Sequence, residues 1–369
     1  MTPNDDQNRM ARIAAFAADD AAPAAAAWSM GASPDAAIFA KAADLGLFGL
    51  EVPADLGGSG CGFAFKADVC AALAGADFGF AMSVINTHNV AARLAQSAPP
   101  HLRDRYLPAL LAGRISACTA LTEPGAGSDF AAVATRARRT AEGWVLDGEK
   151  TWIINARHAG LAIVFAQCVE GGGGDGIGSF LVDLTAPGVR CHPIDGAFSQ
   201  TAIGAGGFAL KGVALPADHM LAAPGSAFKS ILAEINGARA YVAAMCCGML
   251  HAALNEAAAY GAQRRTFGKP LAAHQAWRLK LARAQTDLAA ARALTAQAAQ
   301  AIDAGAAARR RGRGAAARPL LRPPHRGGAD GGADRRIDRH AAGTRRAPDT
   351  RAVRRNNDIK GVGHARFSD

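Results

Sequence analysis

The stretch ALTEPGAGSDF, residues 120–130, decides how the rest of this chain is read. Between Thr122 and Phe130 it packs two glycines, a proline, two hydroxyls and two carboxylates. Adjacent Pro and Gly are a turn signal, and glycine lets backbone N–H groups approach a ligand with no Cβ in the way. Alone, the segment fits a surface turn with Ser128 or Asp129 capping a helix, a phosphate cradle, or the wall of a cofactor site. Its neighbours have to choose.

On its N-terminal side, residues 1–113 have a helical texture. SPDAAIFAKAADLGLFGLEVP opens with a Ser-Pro-Asp start signal, carries apolar residues at helical spacing and stops at Gly46 and Gly49. HLRDRYLPALLAG is a second amphipathic helix, closed by Gly113. From 114 to 222 the period changes. GWVLDGEKTWII, LAIVFAQCV, GSFLVDL and GGFALKGVALP are short apolar or alternating runs separated by Asp-Gly, a Gly171–Gly174 run and Pro-Gly. They read as an antiparallel β-domain. Residues 223–305 return to two long helices joined by a glycine-containing turn, the pattern of a bundle. The expected class is α+β: an N-terminal helical domain, a central antiparallel β-domain and a C-terminal helical bundle that breaks off after about residue 305.

Composition narrows the partners. The net charge of +10 over 369 residues is not spread evenly. Residues 306–369 hold sixteen arginines and one lysine against six aspartates, while the first 305 carry 24 basic and 25 acidic side chains. The body is therefore neutral, and only the tail has the charge that nucleic acid would attract. No run of about 18 charge-free apolar residues appears, and the N-terminus lacks the basic flank of a secretory signal, so neither a membrane span nor export is expected. Seven cysteines with no Cys-x-x-Cys pair argue for buried thiols rather than a metal or disulfide framework. The expected location is the cytoplasm.

The order helices, β-domain, helical hairpin, with LTEPGAGSD at the entrance to the β-domain, resembles the acyl-CoA dehydrogenase family of FAD flavoproteins. LTEPGAGSD (121–129) is similar to that family's signature, and GEKTWIINA (148–156) to its second flavin segment. FLVDLTAPGV and FALKGVALPADHML resemble its later strands, and GARAYVAAMCCGMLHAALNEAAAYGAQRRTFGKPLAAHQ its helical region ending in Arg-x-x-Phe-Gly. The resemblance covers roughly residues 10–305. It implies removal of an acyl thioester's α-proton by a base, with hydride passing from the β-carbon to the flavin. By the same resemblance, Thr119, Ala120, Leu121 and Thr122 line the flavin, Gly127 and Ser128 lie beside the FAD pyrophosphate, and Ser128 also touches the CoA arm. Trp152, Ile153 and Ile154 form the flavin's wall; the family usually has Thr or Ser at Ile154, so a hydroxyl near N5 is missing. Arg264, Thr266 and Phe267, with His274 and Gln275, reach an FAD held mainly by a neighbouring subunit, which implies a homodimer or homotetramer. Asn236 and Arg239 match CoA contacts, with Asn236 where aspartate is typical. An electron-transfer flavoprotein is the implied acceptor.

The base is the departure. The resemblance places it in a late glutamate, or in the residue before Arg239, which here is Ala238. No glutamate follows Glu256. Glu234, one turn before Ala238, is the remaining weak candidate. From about Ala307 helical periodicity gives way to Arg, Gly and Pro, which reads either as a genuine basic tail or as a GC-rich gene read in a shifted frame. The shifted frame is preferred, because the break falls inside a helix the fold requires. Two alternatives to a dehydrogenase stand beside it: a flavin-dependent monooxygenase on the same scaffold, and a non-catalytic protein with a nucleic-acid-binding tail.

Overall fold

The computed structural model describes residues 3–170, 173–194 and 200–310. The Arg-rich stretch from 311 onward and part of the Gly171–Gly174 run lie outside the described residues. Six helices come first: α1 (Pro3–Phe16), α2 (Ala22–Ser29), α3 (Ala36–Asp44), α4 (Phe63–Ala76), α5 (Phe78–Ser97) and α6 (Pro100–Leu111). Asp35 caps α3 by accepting from the Ile38 N–H at 3.0 Å, as the Ser-Pro-Asp signal predicts. The stops are equally local: Gly46 and Gly113 hold φ at 70° and 66°, a backbone that side chains resist.

Eight strands follow: β1 (Ala117–Ala120), β2 (Arg136–Arg139), β3 (Gly143–Ile153), β4 (Leu161–Glu170), β5 (Gly173–Asp183), β6 (Val189–Pro193), β7 (Gly206–Pro216) and β8 (Met220–Ala222). They form one sheet in the order β6-β7-β3-β2-β4-β5-β8, with β1 also on β4. The expected antiparallel domain is in fact mixed, because β1 and β2 both run parallel to β4. They share one edge of it end to end. Residues 117–120 pair with 161–164, and residues 136–138 pair with 167–169. The chain between them, which contains the LTEPGAGSD stretch, is thus an excursion from one side of a single interior strand, β4. β4 itself is buried on both faces: Leu161, Ile163 and Phe165 join one apolar cluster, Ala162, Val164 and Ala166 the other. That explains why LAIVFAQCV is continuously apolar instead of alternating.

The chain then enters α7 (Ser226–Gln263), turns through a small hairpin of β9 (Arg265–Thr266) and β10 (Lys269–Pro270), and returns as α8 (Gln275–Arg310). The helical reading that ended at residue 305 was five residues short, since alanines 306–308 keep the helix favourable. By length and composition α7 could cross a membrane. Its packing places it in the helical layer instead: a Cβ on Gly248 would stand 2.0 Å from the Ala71 carbonyl oxygen of α4. The two backbones touch there, and only glycine permits it. Asp303 near the end of α8 caps α4, accepting from the N–H groups of Phe63 and Ala64 at 2.7 and 2.9 Å.

Candidate flavin and thioester site

The excursion from β4 is a built loop. Glu123 and Ala126 exchange backbone hydrogen bonds of 2.9 and 3.2 Å, closing the Pro124–Gly125 turn. Asp129 makes no side-chain cap to the short helical turn that follows, so the helix-cap reading of Ser128 and Asp129 fails. Gly127, Ser128 and Asp129 are exposed. Neither Gly125 nor Gly127 holds a left-handed backbone, and a Cβ on either would meet no atom within 4 Å. Among the described residues nothing requires glycine at those positions. A group approaching from outside would.

The second segment meets the first. Thr151 donates its N–H to the Thr122 carbonyl at 3.1 Å, which sets Trp152 beside the start of the loop. Trp152 is 64% exposed, and its backbone sits at φ 56°, a strained value for a bulky residue. A core tryptophan would be buried; this one is exposed, while Ile153, next to it, is buried and Ile154 half-buried. Asn155, also left-handed at φ 69°, holds the turn. Its amide donates to the Ser83 carbonyl, the Thr87 hydroxyl and the Ala117 carbonyl at 2.9, 3.1 and 3.0 Å. Asn86 of α5 accepts from the Thr119 N–H at 3.3 Å. One helix therefore positions β1 and the Trp152 turn together. Thr119 and Leu121 are half-buried and Ala120 is buried.

An exposed indole plane beside a loop whose glycines are demanded only from outside fits a flat heteroaromatic ring with a phosphate arm. Family models of the acyl-CoA dehydrogenase N-terminal, middle and C-terminal domains match residues 4–114, 118–213 and 225–318. An acryloyl-CoA reductase (NADH) of Anaerotignum propionicum is 32% identical over 72% of this chain and 68% of its own length. This chain belongs to the acyl-CoA dehydrogenase family. The bovine short-chain specific acyl-CoA dehydrogenase is 33% identical over 71% of this chain. The chain spans 64% of that relative's length. Among solved structures, a glutaryl-CoA dehydrogenase of Mycobacterium smegmatis in complex with FADH2 superposes with a TM-score of 0.77, at 28% identity, over 82% of this chain and 77% of that one.

Within this acyl-CoA dehydrogenase scaffold the remaining site residues fall into two places. Asn236 and Arg239 lie on α7, where the Arg239 guanidinium donates to the Asn236 side-chain oxygen at 3.0 Å. The Arg264–Gln275 group sits at the far end of the same helix, roughly 38 Å further along at 1.5 Å per residue. There Thr266 and His274 are joined, Oγ1 to Nε2, at 3.0 Å, and Phe267 is 96% exposed with φ 48°. Gln275 opens α8. So the structure joins Thr119–Ser128 with Trp152–Ile154, while Arg264–Gln275 stands beyond the C-terminal end of α7, away from Asn236 and Arg239. Glu234 is ion-paired with Arg93 of α5, which occupies its carboxylate. Two residues of the site escaped sequence reasoning, Glu123 and Lys150. Both are buried and paired at 2.7 Å. Their only signal was a carboxylate and a cation inside two otherwise apolar or turn-forming motifs.

Proposed function

We propose that this chain binds FAD and an acyl-CoA thioester for α,β-dehydrogenation, and turns over weakly because neither position the resemblance gives for the base, a late glutamate or Ala238, carries a carboxylate. The observation that carries this reading is the exposed, left-handed Trp152 locked beside Thr122. When bound, the flavin supplies the hydride acceptor. The chain's own tasks are to clamp the ring between Trp152 and the Thr119–Thr122 backbone, to seat the phosphates at Gly127 and Ser128, and to grip CoA through Ser128, Asn236 and Arg239. Arginine suits a phosphate because its planar fork bonds two oxygens at once. Ala238 offers no proton acceptor, and Glu234 is already committed to Arg93.

The distance along α7 supports a homo-oligomer in which Arg264–Gln275 of one copy completes the FAD site of another. A cytoplasmic place in fatty acid metabolism, with an electron-transfer flavoprotein as acceptor, belongs to the same proposal. The test is anaerobic: protein reconstituted with FAD is mixed with short-chain acyl-CoA, and the flavin absorbance is followed. Slow bleaching that Ala238→Glu accelerates by about tenfold or more supports the reading, since a positioned base contributes about 100-fold or more in its native setting. A protein that takes up FAD but is bleached at no rate by any acyl-CoA, in either form, sinks it. The near-equal identity to a relative named a reductase favours a second reading, the reverse reaction. Reoxidation of chemically reduced protein by an enoyl-CoA distinguishes it.

A further inference from the structure

Glu123 and Lys150 sit in the two flavin motifs as apparent spacers, yet they are among the few buried charged residues of the described part of the chain. Lys150 lies on β3, two residues before Trp152, and its side chain is fully buried. Its ammonium donates to the Glu123 carboxylate at 2.7 Å and to the Leu121 carbonyl at 3.1 Å. The Glu123 carboxylate also accepts from the Ala134 and Thr135 N–H groups and from the Thr135 hydroxyl. One cation therefore grips the loop where it leaves β1, the carboxylate of its turn, and through that carboxylate the point where the loop rejoins β2. The whole excursion is closed by this pair.

Stability alone explains the pair poorly. Withdrawing two charges from water costs several kcal/mol per ion, and apolar side chains of the same volume stabilise a fold as well or better. Burial pushes the Lys150 ammonium down to about 8, against the pull of Glu123, so the cation is kept at some cost. What an apolar pair could not do is place a positive charge on the Leu121 carbonyl. That carbonyl belongs to the peptide whose N–H is Thr122's. A donor on the oxygen of a peptide strengthens its N–H as a donor in turn.

We propose that Glu123 and Lys150 are positioning residues of the flavin site: they hold the Leu121–Thr122 peptide beside Trp152 and polarise it, so that the Thr122 N–H bonds the flavin ring more strongly. The proposal rests on the reading that residues 119–122 line FAD. A stronger N–H donor favours the electron-rich reduced ring over the oxidised one, so the pair raises the flavin's reduction potential.

The test uses the full chain with FAD and the double variant Lys150→Met/Glu123→Gln. The glutamine carbonyl can still accept from Ala134 and Thr135, and no charge is left buried. The expected result is an apo-protein melting temperature near the parent's, FAD binding at least tenfold weaker by fluorescence quenching, and a more negative flavin potential. FAD affinity and potential both equal to the parent's would overturn the proposal and leave the pair purely structural. Should the double variant not fold, Lys150→Arg decides. It keeps the charge but replaces a compact ammonium with a longer planar fork, so the donor on the Leu121 carbonyl is moved from where Lys150 holds it. A shifted potential supports the proposal, and an unchanged one overturns it. A parent protein that takes up no FAD removes the flavin reading, and this proposal with it. A parent that binds FAD, with affinity and potential equal to those of its variants, removes this proposal alone.

Discussion

Trp152 at φ 56° and Asn155 at φ 69° bracket a turn in which two residues without glycine's freedom hold left-handed backbone. Each such position costs on the order of 1–3 kcal/mol and persists only where surrounding contacts impose it. Here the three hydrogen bonds donated by the Asn155 amide impose it. Asn155→Ala is expected to lose about 2–4 kcal/mol by urea denaturation, from unsatisfied carbonyls and from an alanine that resists αL. Asn155→Gly, which relieves only the backbone part, should recover a fraction of that loss; full recovery would show that the hydrogen bonds count for nothing. Ile154→Thr tests the departure beside it. A hydroxyl at that position should raise the flavin reduction potential in spectroelectrochemistry while the melting temperature stays within a few degrees. At this scale the sequence was legible where a side chain has a distinctive shape, as at Trp152. It was silent on Glu123 and Lys150, because a buried ion pair 27 residues apart has no local pattern.

Between elements, charge does what packing alone cannot. Lys66 of α4 bonds Glu51 and the Asn89 side-chain oxygen, both at 2.7 Å; Asn89 of α5 in turn donates to the Tyr241 hydroxyl of α7 at 3.3 Å. Burial by itself would raise the Glu51 carboxyl, but the hydrogen bond from His88 and the charge of Lys66 outweigh it and hold the group at about 2. A carboxyl lowered in the folded state stabilises the fold above its unfolded value and loses that contribution as pH falls through the folded value. His88, kept neutral chiefly by burial and also by Lys66, acts in the same direction below its unfolded value of 6.5. Thermal melts should therefore decline from about pH 6 and steeply between pH 4.5 and 2, with about 3 kcal/mol assignable to Glu51. In Glu51→Gln the lower step should vanish; its persistence would place the acid sensitivity elsewhere. The α4–α7 contact gives a second expectation. Gly248→Val forces a branched side chain against the Ala71 carbonyl and should cost about 3 kcal/mol or more, read as lost soluble yield or a lowered melting temperature. Helix stops, the Asp35 cap and the strand runs were readable from local chemistry. The parallel pairing of β1 and β2 on β4 was not, because register between distant strands is set by which faces bury together.

For the whole molecule, α7 carries Arg264–Gln275 roughly 38 Å along its axis from Arg239 at 1.5 Å per residue, so the cofactor site is expected to complete itself only between copies. FAD affinity should then fall on dilution in step with dissociation to monomers in analytical ultracentrifugation, and Arg264→Ala should weaken FAD without lowering the apo melting temperature. Affinity independent of protein concentration would contradict this. Asp303 still caps α4 just before the composition turns to Arg, Gly and Pro, so the fold's tertiary contacts run up to the break. The chain of amino acids by itself determined the class, the order of its three parts and the motifs that resemble the family's, because periodicity, turn residues and side-chain chemistry are local properties. Tertiary structure alone decided that β1 and β2 share one edge of β4 and that Glu123 and Lys150 lock the loop thrown out between them. Only there are residues far apart in the chain taken out of water together, where a charge must find its partner and a backbone must accept the conformation its neighbours impose.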